Sequence, residues 1–208
     1  MDFLKKNSYD IVRMFITQLG ISVFALTMSI SFSQITPDEK TFGSIAGNVA
    51  ISVFSTGFYF VLLYMTAWDW GAKDKIKIDA GRMTGSGAKM LIMSLIANAP
   101  NLLLSFISVF CLIFSSLGIK FIFYAAGTIS AIILRLASNM FNGATSEIFY
   151  FLRNTAEGAD NSVYDLVQMT SFIFLFFLTV LVCHLGYTLG LKEKRIFGFI
   201  KTKPKKYE

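Results

Sequence analysis

Residues 67–89 read AWDWGAKDKIKIDAGRMTGSGAK. Two tryptophans flank an aspartate, a ladder of lysines and aspartates follows, and the stretch closes in glycines. Its meaning depends on its neighbours. Before it runs an apolar stretch, Ser44–Trp68, and after it another, Met90–Ser116. Each is long enough for the roughly 20 mostly apolar residues that a bilayer-spanning helix needs. The glycine-rich end has the outline of a phosphate-binding Walker loop. That motif requires G-x-x-x-x-G-K-[ST] after a strand, whereas here Lys89 follows Ala88 and Met90 stands in the Ser/Thr position. Tryptophans at the end of an apolar run match the interfacial belt of membrane proteins. The stretch therefore reads as an interfacial anchor followed by a basic connector, with Gly71 as the expected helix C-cap. The alternation in KDKIKID permits an extended segment or one whose lysines snorkel to the headgroups. Asp69 can pair with Lys73 if the helix continues past Gly71. Trp68, Asp69, Trp70, Lys73, Lys75, Lys77 and Arg82 are the residues expected to meet lipid headgroups or a cytoplasmic partner.

Composition supports a membrane class. The 208 residues are 54% hydrophobic and 15% charged, against roughly 25% charged in soluble domains. A soluble domain of this size must keep its surface mostly polar and could not hide so much apolar area. Net charge is +6, and the cations cluster beside apolar runs, at 5–13, 73–89 and 192–206. That pattern indicates membrane topology rather than nucleic-acid binding. Lys5, Lys6 and Arg13 precede an apolar stretch too long for a typical signal-peptide h-region, so the first span is expected to be retained.

The chain is expected to be one all-α transmembrane domain of five or six helices, with spans at 11–33, 44–68, 90–116, 119–136 and 167–191, a further one at 138–153 in the six-span version, and a basic cytoplasmic tail at 192–208. Five spans put the termini on opposite sides and leave Lys and Arg nearly balanced across the membrane. Six spans leave only Lys40, Lys120 and Arg153 outside, as the positive-inside rule prefers. Both termini would then be cytoplasmic. The difficulty is a tight turn near Ser138 with no Gly or Pro; Asn142-Gly143 is the better turn signal. In the five-span alternative, residues 139–153 form an amphipathic helix lying in the interface.

Polar residues within the spans are the candidate sites. Pro100 removes a backbone hydrogen bond to Ile96 and tends to kink its helix. Asn98 and Asn101, three apart, share a helical face. Interrupted spans of this kind point to transporter sites. Asn139, Asn142 and Glu147 form the polar face of the ambiguous helix, and an intramembrane Glu147 would need a partner such as Arg135. These six residues, Asn98, Pro100, Asn101, Asn139, Asn142 and Glu147, are the expected substrate-lining set. Cys111 and Cys183 sit in apolar runs and read as small buried or lipid-facing side chains. His184, the single histidine, cannot form a dyad with adjacent Cys183, and is expected to make a helix-packing hydrogen bond. No spacing suits a metal, a cofactor, a nucleophilic triad or paired catalytic acids, so an enzyme has little support. A transporter or transporter subunit is the first expectation. The alternative is a scaffold docking a membrane or cytoplasmic partner through its basic loop and tail.

The run WDWGAKDKIKIDAGR followed by IANAPNLLL resembles segments of multi-pass membrane proteins of Gram-positive bacteria with no assigned function. The resemblance covers Tyr64 to Leu104, about a fifth of the chain, and implies a bacterial cytoplasmic membrane. In size and span number the chain is also similar to small substrate-binding membrane subunits of vitamin transporters, with no shared residue motif.

Overall fold

The computed structural model describes residues 2–35, 42–85, 87–116, 120–146 and 161–194. They form α1 (Asp2–Ile35), α2 (Phe42–Asp79), α3 (Lys89–Ser116) and α4 (Lys120–Ala137), then a short helix α5 (residues 139–146) and α6 (Asn161–Leu191). Among the described residues, four helices are long and apolar enough to cross a membrane: α1, α2, α3 and α6. The apolar part of α4 is shorter, Phe123–Ala137.

The distribution of side chains is that of a bundle solvated by lipid. Phe54, Phe58, Leu103, Phe106, Phe110 and Phe174 are exposed, whereas Gln18, Ser52, Asn98, Asn101, Ser105 and Ser108 are buried. In lipid, apolar side chains gain little by burial, and polar ones are placed inside to hydrogen-bond between helices. Aromatic packing completes the core, with Phe141 edge-on to both Tyr59 and Phe176.

The helices α2 and α6 share the most extensive contact, and they run parallel. Gly186 faces the backbone of Tyr64, and one turn on, Gly190 faces Trp68. Gly71 meets the carbonyl oxygen of Tyr187 so closely that a Cβ there would overlap it. Gly71 is thus a close-approach residue inside α2 and not the expected cap. The cap lies ten residues later. Gly81 has a φ of 68°, Gly81 N–H donates to Ile78 O and Arg82 N–H to Lys77 O, which is the Schellman pattern. KDKIKID is accordingly helical rather than extended, and Asp69–Lys73 and Lys75–Asp79 pair at i,i+4 along it, at 2.5 and 2.6 Å.

The start of α1, the end of α2, the start of α3 and the end of α6 meet at one end of the bundle, where Asp10, Arg13, Asp74, Lys89 and Tyr187 line a common pocket. This basic end also receives Lys194, whose carbonyl accepts from Trp68 Nε1 at 2.7 Å.

At the other end α4 behaves differently from a full span. It lies antiparallel to α3, with Ser108 and Ser130 hydroxyls 2.9 Å apart and Gly127 against Cys111. Continued in that register, Ala137 comes level with Asn101, roughly 18 Å along the axis from Lys89. The helix stops there at Ser138. The short α5 then turns back: Met140 is bonded to Ser52 and Thr56, and Gly143 faces Asn48, nearer the start of α2. α4 therefore runs toward the basic end and stops short of it, and α5 runs back away from it, so the two form a broken hairpin inserted into the bundle from the opposite end.

This geometry places the turn at Ser138, where no Gly or Pro announces it, and makes Asn142-Gly143 part of a helix. Nor does α5 lie in an interface: Met140 and Phe141 are fully buried. The break is tolerated because neighbouring hydroxyls serve its backbone. Ser22 Oγ donates to Ala137 O at 2.7 Å. Ser52 Oγ and Thr56 Oγ1 both donate to Met140 O, at 2.6 and 3.0 Å. Non-helical backbone at membrane depth survives only with such partners.

Candidate functional site

The structure separates the expected substrate-lining residues into three groups. Asn98 and Asn101 are both buried on the inner face of α3, while Pro100 between them is exposed on the outer face. The helix continues through Pro100. Asn139 and Asn142 are half-buried in α5, and Asn142 Oδ1 accepts from Gln168 Nε2 at 3.3 Å. Glu147 lies outside the described residues. Arg135, its expected partner, donates to Gln168 Oε1 at 2.8 Å and to Asp165 at 3.3 Å.

The asparagines belong to a longer stripe. Ser94, Asn98, Asn101, Ser105 and Ser108 recur at spacings of four and three and are all buried. Ser94 and Ser105 bond back to their own helix, and Ser108 reaches α4. At the middle of the stripe the partners run out. Asn98 Nδ2 donates to Ser94 O, but Asn98 Oδ1 and Asn101 Nδ2 are buried without a partner, as are Gln18 Nε2 and Ser138 Oγ. Gln18 is one helical turn before Ser22, which holds Ala137. The four unpaired groups, from two helices and the break, thus lie within about one turn of the hairpin tip, roughly 6 Å along the axis. Each unpaired buried polar group costs on the order of 1–3 kcal/mol, and native proteins hold few of them. His184 Nδ1 is buried and unpartnered too, so the packing hydrogen bond expected of it is absent at that nitrogen. Cys111 and Cys183 are free and buried, as expected.

A second polar centre occupies the basic end. Asp74 is buried, and its carboxylate accepts from Lys89 Nζ at 2.7 Å, Tyr187 Oη at 3.0 Å and Lys77 Nζ at 3.3 Å. The contacts tie α2 to α3 and α6. Around it opens a pocket of about 280 Å³, lined also by Asp10, Arg13, Trp70 and Lys73. Of the residues expected to contact headgroups or a partner, Trp70, Lys73 and Lys77 line this pocket, whereas Asp69, Lys75 and Arg82 do not.

Asp10 and Tyr187 do not stand out in the sequence, and Asp74, read there beside Asp69, Asp79 and Arg82, matches no metal or acid–base spacing. Once 69–79 is helical, Trp70, Asp74 and Lys77 fall on one face, a pattern that an extended reading of the same residues hides. Gly186-Tyr-Thr-Leu-Gly190 does not stand out in the sequence either, although its small-x-x-x-small pattern permits close helix approach.

The fold and the two polar centres define an all-α, multi-pass integral membrane protein with a polar interior. No protein-family model matches the chain, and no curated protein or solved structure matches it.

Proposed function

We propose that this chain is a small transporter, or the membrane subunit of one, in a bacterial cytoplasmic membrane, with the basic end facing the cytoplasm. Its solute path follows the inner face of α3 past the tip of the α4–α5 hairpin. One observation carries the reading: the unpaired polar atoms of Gln18, Asn98, Asn101 and Ser138 converge near the bundle centre. Such groups in a closed apolar core are costly, whereas a small polar solute or water satisfies them. Broken helices lining a cavity at mid-depth are how membrane transporters expose backbone and side-chain dipoles to cargo. The clustering of Lys and Arg at one end supports the orientation.

Cysteine accessibility tests the path without knowledge of the solute. In a Cys111→Ala, Cys183→Ala background, Asn98→Cys and Asn101→Cys should react with a membrane-impermeant thiol reagent in sealed vesicles. Lipid-facing Leu103→Cys should not. If both asparagine positions stay unreactive until the protein is unfolded, there is no aqueous path and the transport reading fails.

The second reading, a scaffold without transport, draws on exposed Arg82 and on half-buried Lys75, neither of which lines the pocket. It requires a membrane or cytoplasmic partner that co-purifies and is lost when these charges are neutralised.

A further inference from the structure

The pocket at the basic end has features that the transport reading does not use. Four cations line it, Arg13, Lys73, Lys77 and Lys89, against two acids, Asp10 and Asp74. Asp69, which holds Lys73 from outside the pocket, leaves the surplus still positive. The Arg13 guanidinium has no hydrogen-bond or ion-pair partner among the described residues. Asp74 does not cancel the lysines as donors. Each ammonium carries three protons, and the bonds to Asp74 use one from Lys89 and one from Lys77. Asp74 therefore orients these two ammonium groups, with protons to spare. The first turn of α3 begins at the pocket, with Lys89 and Met90 on its wall, and the leading N–H groups of a helix favour an anion. Trp70 adds a ring to the wall, while the Tyr187 hydroxyl helps Asp74 hold its place by donating to it.

We propose that this pocket binds a phosphate group that bears no compensating cation, offered either by an anionic lipid headgroup or by a small phosphorylated solute. The guanidinium fork of Arg13 matches phosphate oxygens in a bidentate way, and the lysines and the α3 start complete the shell. A volume of about 280 Å³ leaves room for a small polar moiety beside the phosphate. The lipid source fits the position: the pocket opens where tryptophans mark the edge of the apolar belt, and anionic headgroups gather near such basic clusters. This site is independent of the path along α3 and stands or falls without it.

Thermal unfolding of the full chain in a neutral maltoside detergent tests the site in two arms. One arm adds inorganic phosphate or glycerol 3-phosphate, compared with chloride at equal ionic strength. The other adds phosphatidic acid, compared with phosphatidylcholine. A saturable rise in Tm in either arm is expected, and the responding arm identifies the source. Arg13→Gln should weaken the apparent affinity about tenfold, as loss of a charge-assisted contact implies. Lys75→Gln, outside the pocket and paired with Asp79, should leave it unchanged. Arg13 is preferred to Lys89 because Lys89→Gln also disturbs Asp74; Lys73→Gln serves as a second variant. No saturable rise in either arm, or equal losses in the Arg13, Lys73 and Lys75 variants, overturns the proposal.

Discussion

The α2–α6 seam and the α4–α5 break solve the same problem in opposite ways. Both bring backbone close to backbone inside an apolar solvent. Along the seam, each helix keeps its hydrogen bonds internal, and glycines at 71, 186 and 190 remove the side chains that would hold the helices apart. At the break, the chain leaves the helix, and serine and threonine hydroxyls from α1 and α2 serve the carbonyls of Ala137 and Met140. The seam leaves nothing unpaired at its glycines. Buried polar atoms without partners gather around the break. A bundle closed for stability alone would gain from extending the first solution everywhere, and the second is the part of the interior on which the proposed solute path rests.

This contrast can be broken experimentally, beginning with the seam. Gly190→Ala places a Cβ against the Trp68 carbonyl, and neither backbone can yield cheaply. A loss above about 4 kcal/mol is expected, seen as aggregation or loss of the monodisperse peak in size exclusion. Gly20→Ala, with open space around it, should stay within about 0.5 kcal/mol. Next comes the base that locks the seam to α3. Lys89→Met leaves Asp74 with Lys77 and Tyr187 only, and should cost about 2–3 kcal/mol. Adding Asp74→Asn should recover part of that loss, a coupling readable from a double-mutant cycle. The smallest effect belongs to the break. Ser52→Ala with Thr56→Ala strips the Met140 carbonyl of both hydroxyls, for about 1–2 kcal/mol in denaturant titration. If that loss exceeded that of Gly190→Ala, the break and not the seam would be the principal stabilising contact.

Much of this architecture could be read in the sequence. Apolar run lengths gave the helices and their approximate bounds, and Asp69–Lys73 pairing followed from simple i,i+4 spacing. Gly71 misled because a glycine after tryptophans looks like a cap, while its actual role depends on α6, more than a hundred residues away. The turn at Ser138 was invisible for a related reason. Its stability resides in Ser22, Ser52 and Thr56 on other helices, and no local residue announces it. The parity conflict between five and six spans arose because both treated α4 as completing a crossing. Among the described residues, the start of α1 and the end of α6 meet at the basic end, with four helices long and apolar enough to cross and α4 shorter. Asn98 and Asn101 stood out by type, but the serines flanking them became meaningful only when burial joined them into a stripe.

The central claim is that α4 ends at mid-depth. A nitroxide at Leu136, an exposed position near the tip, measures it most directly. By the α3–α4 register it should sit as deep in the bilayer as a nitroxide at exposed Leu103, with high oxygen and low polar-reagent collision rates at both. Collision rates at Leu136 matching those of a nitroxide at Arg82, outside the apolar belt, would show that α4 crosses completely and would contradict the inserted hairpin.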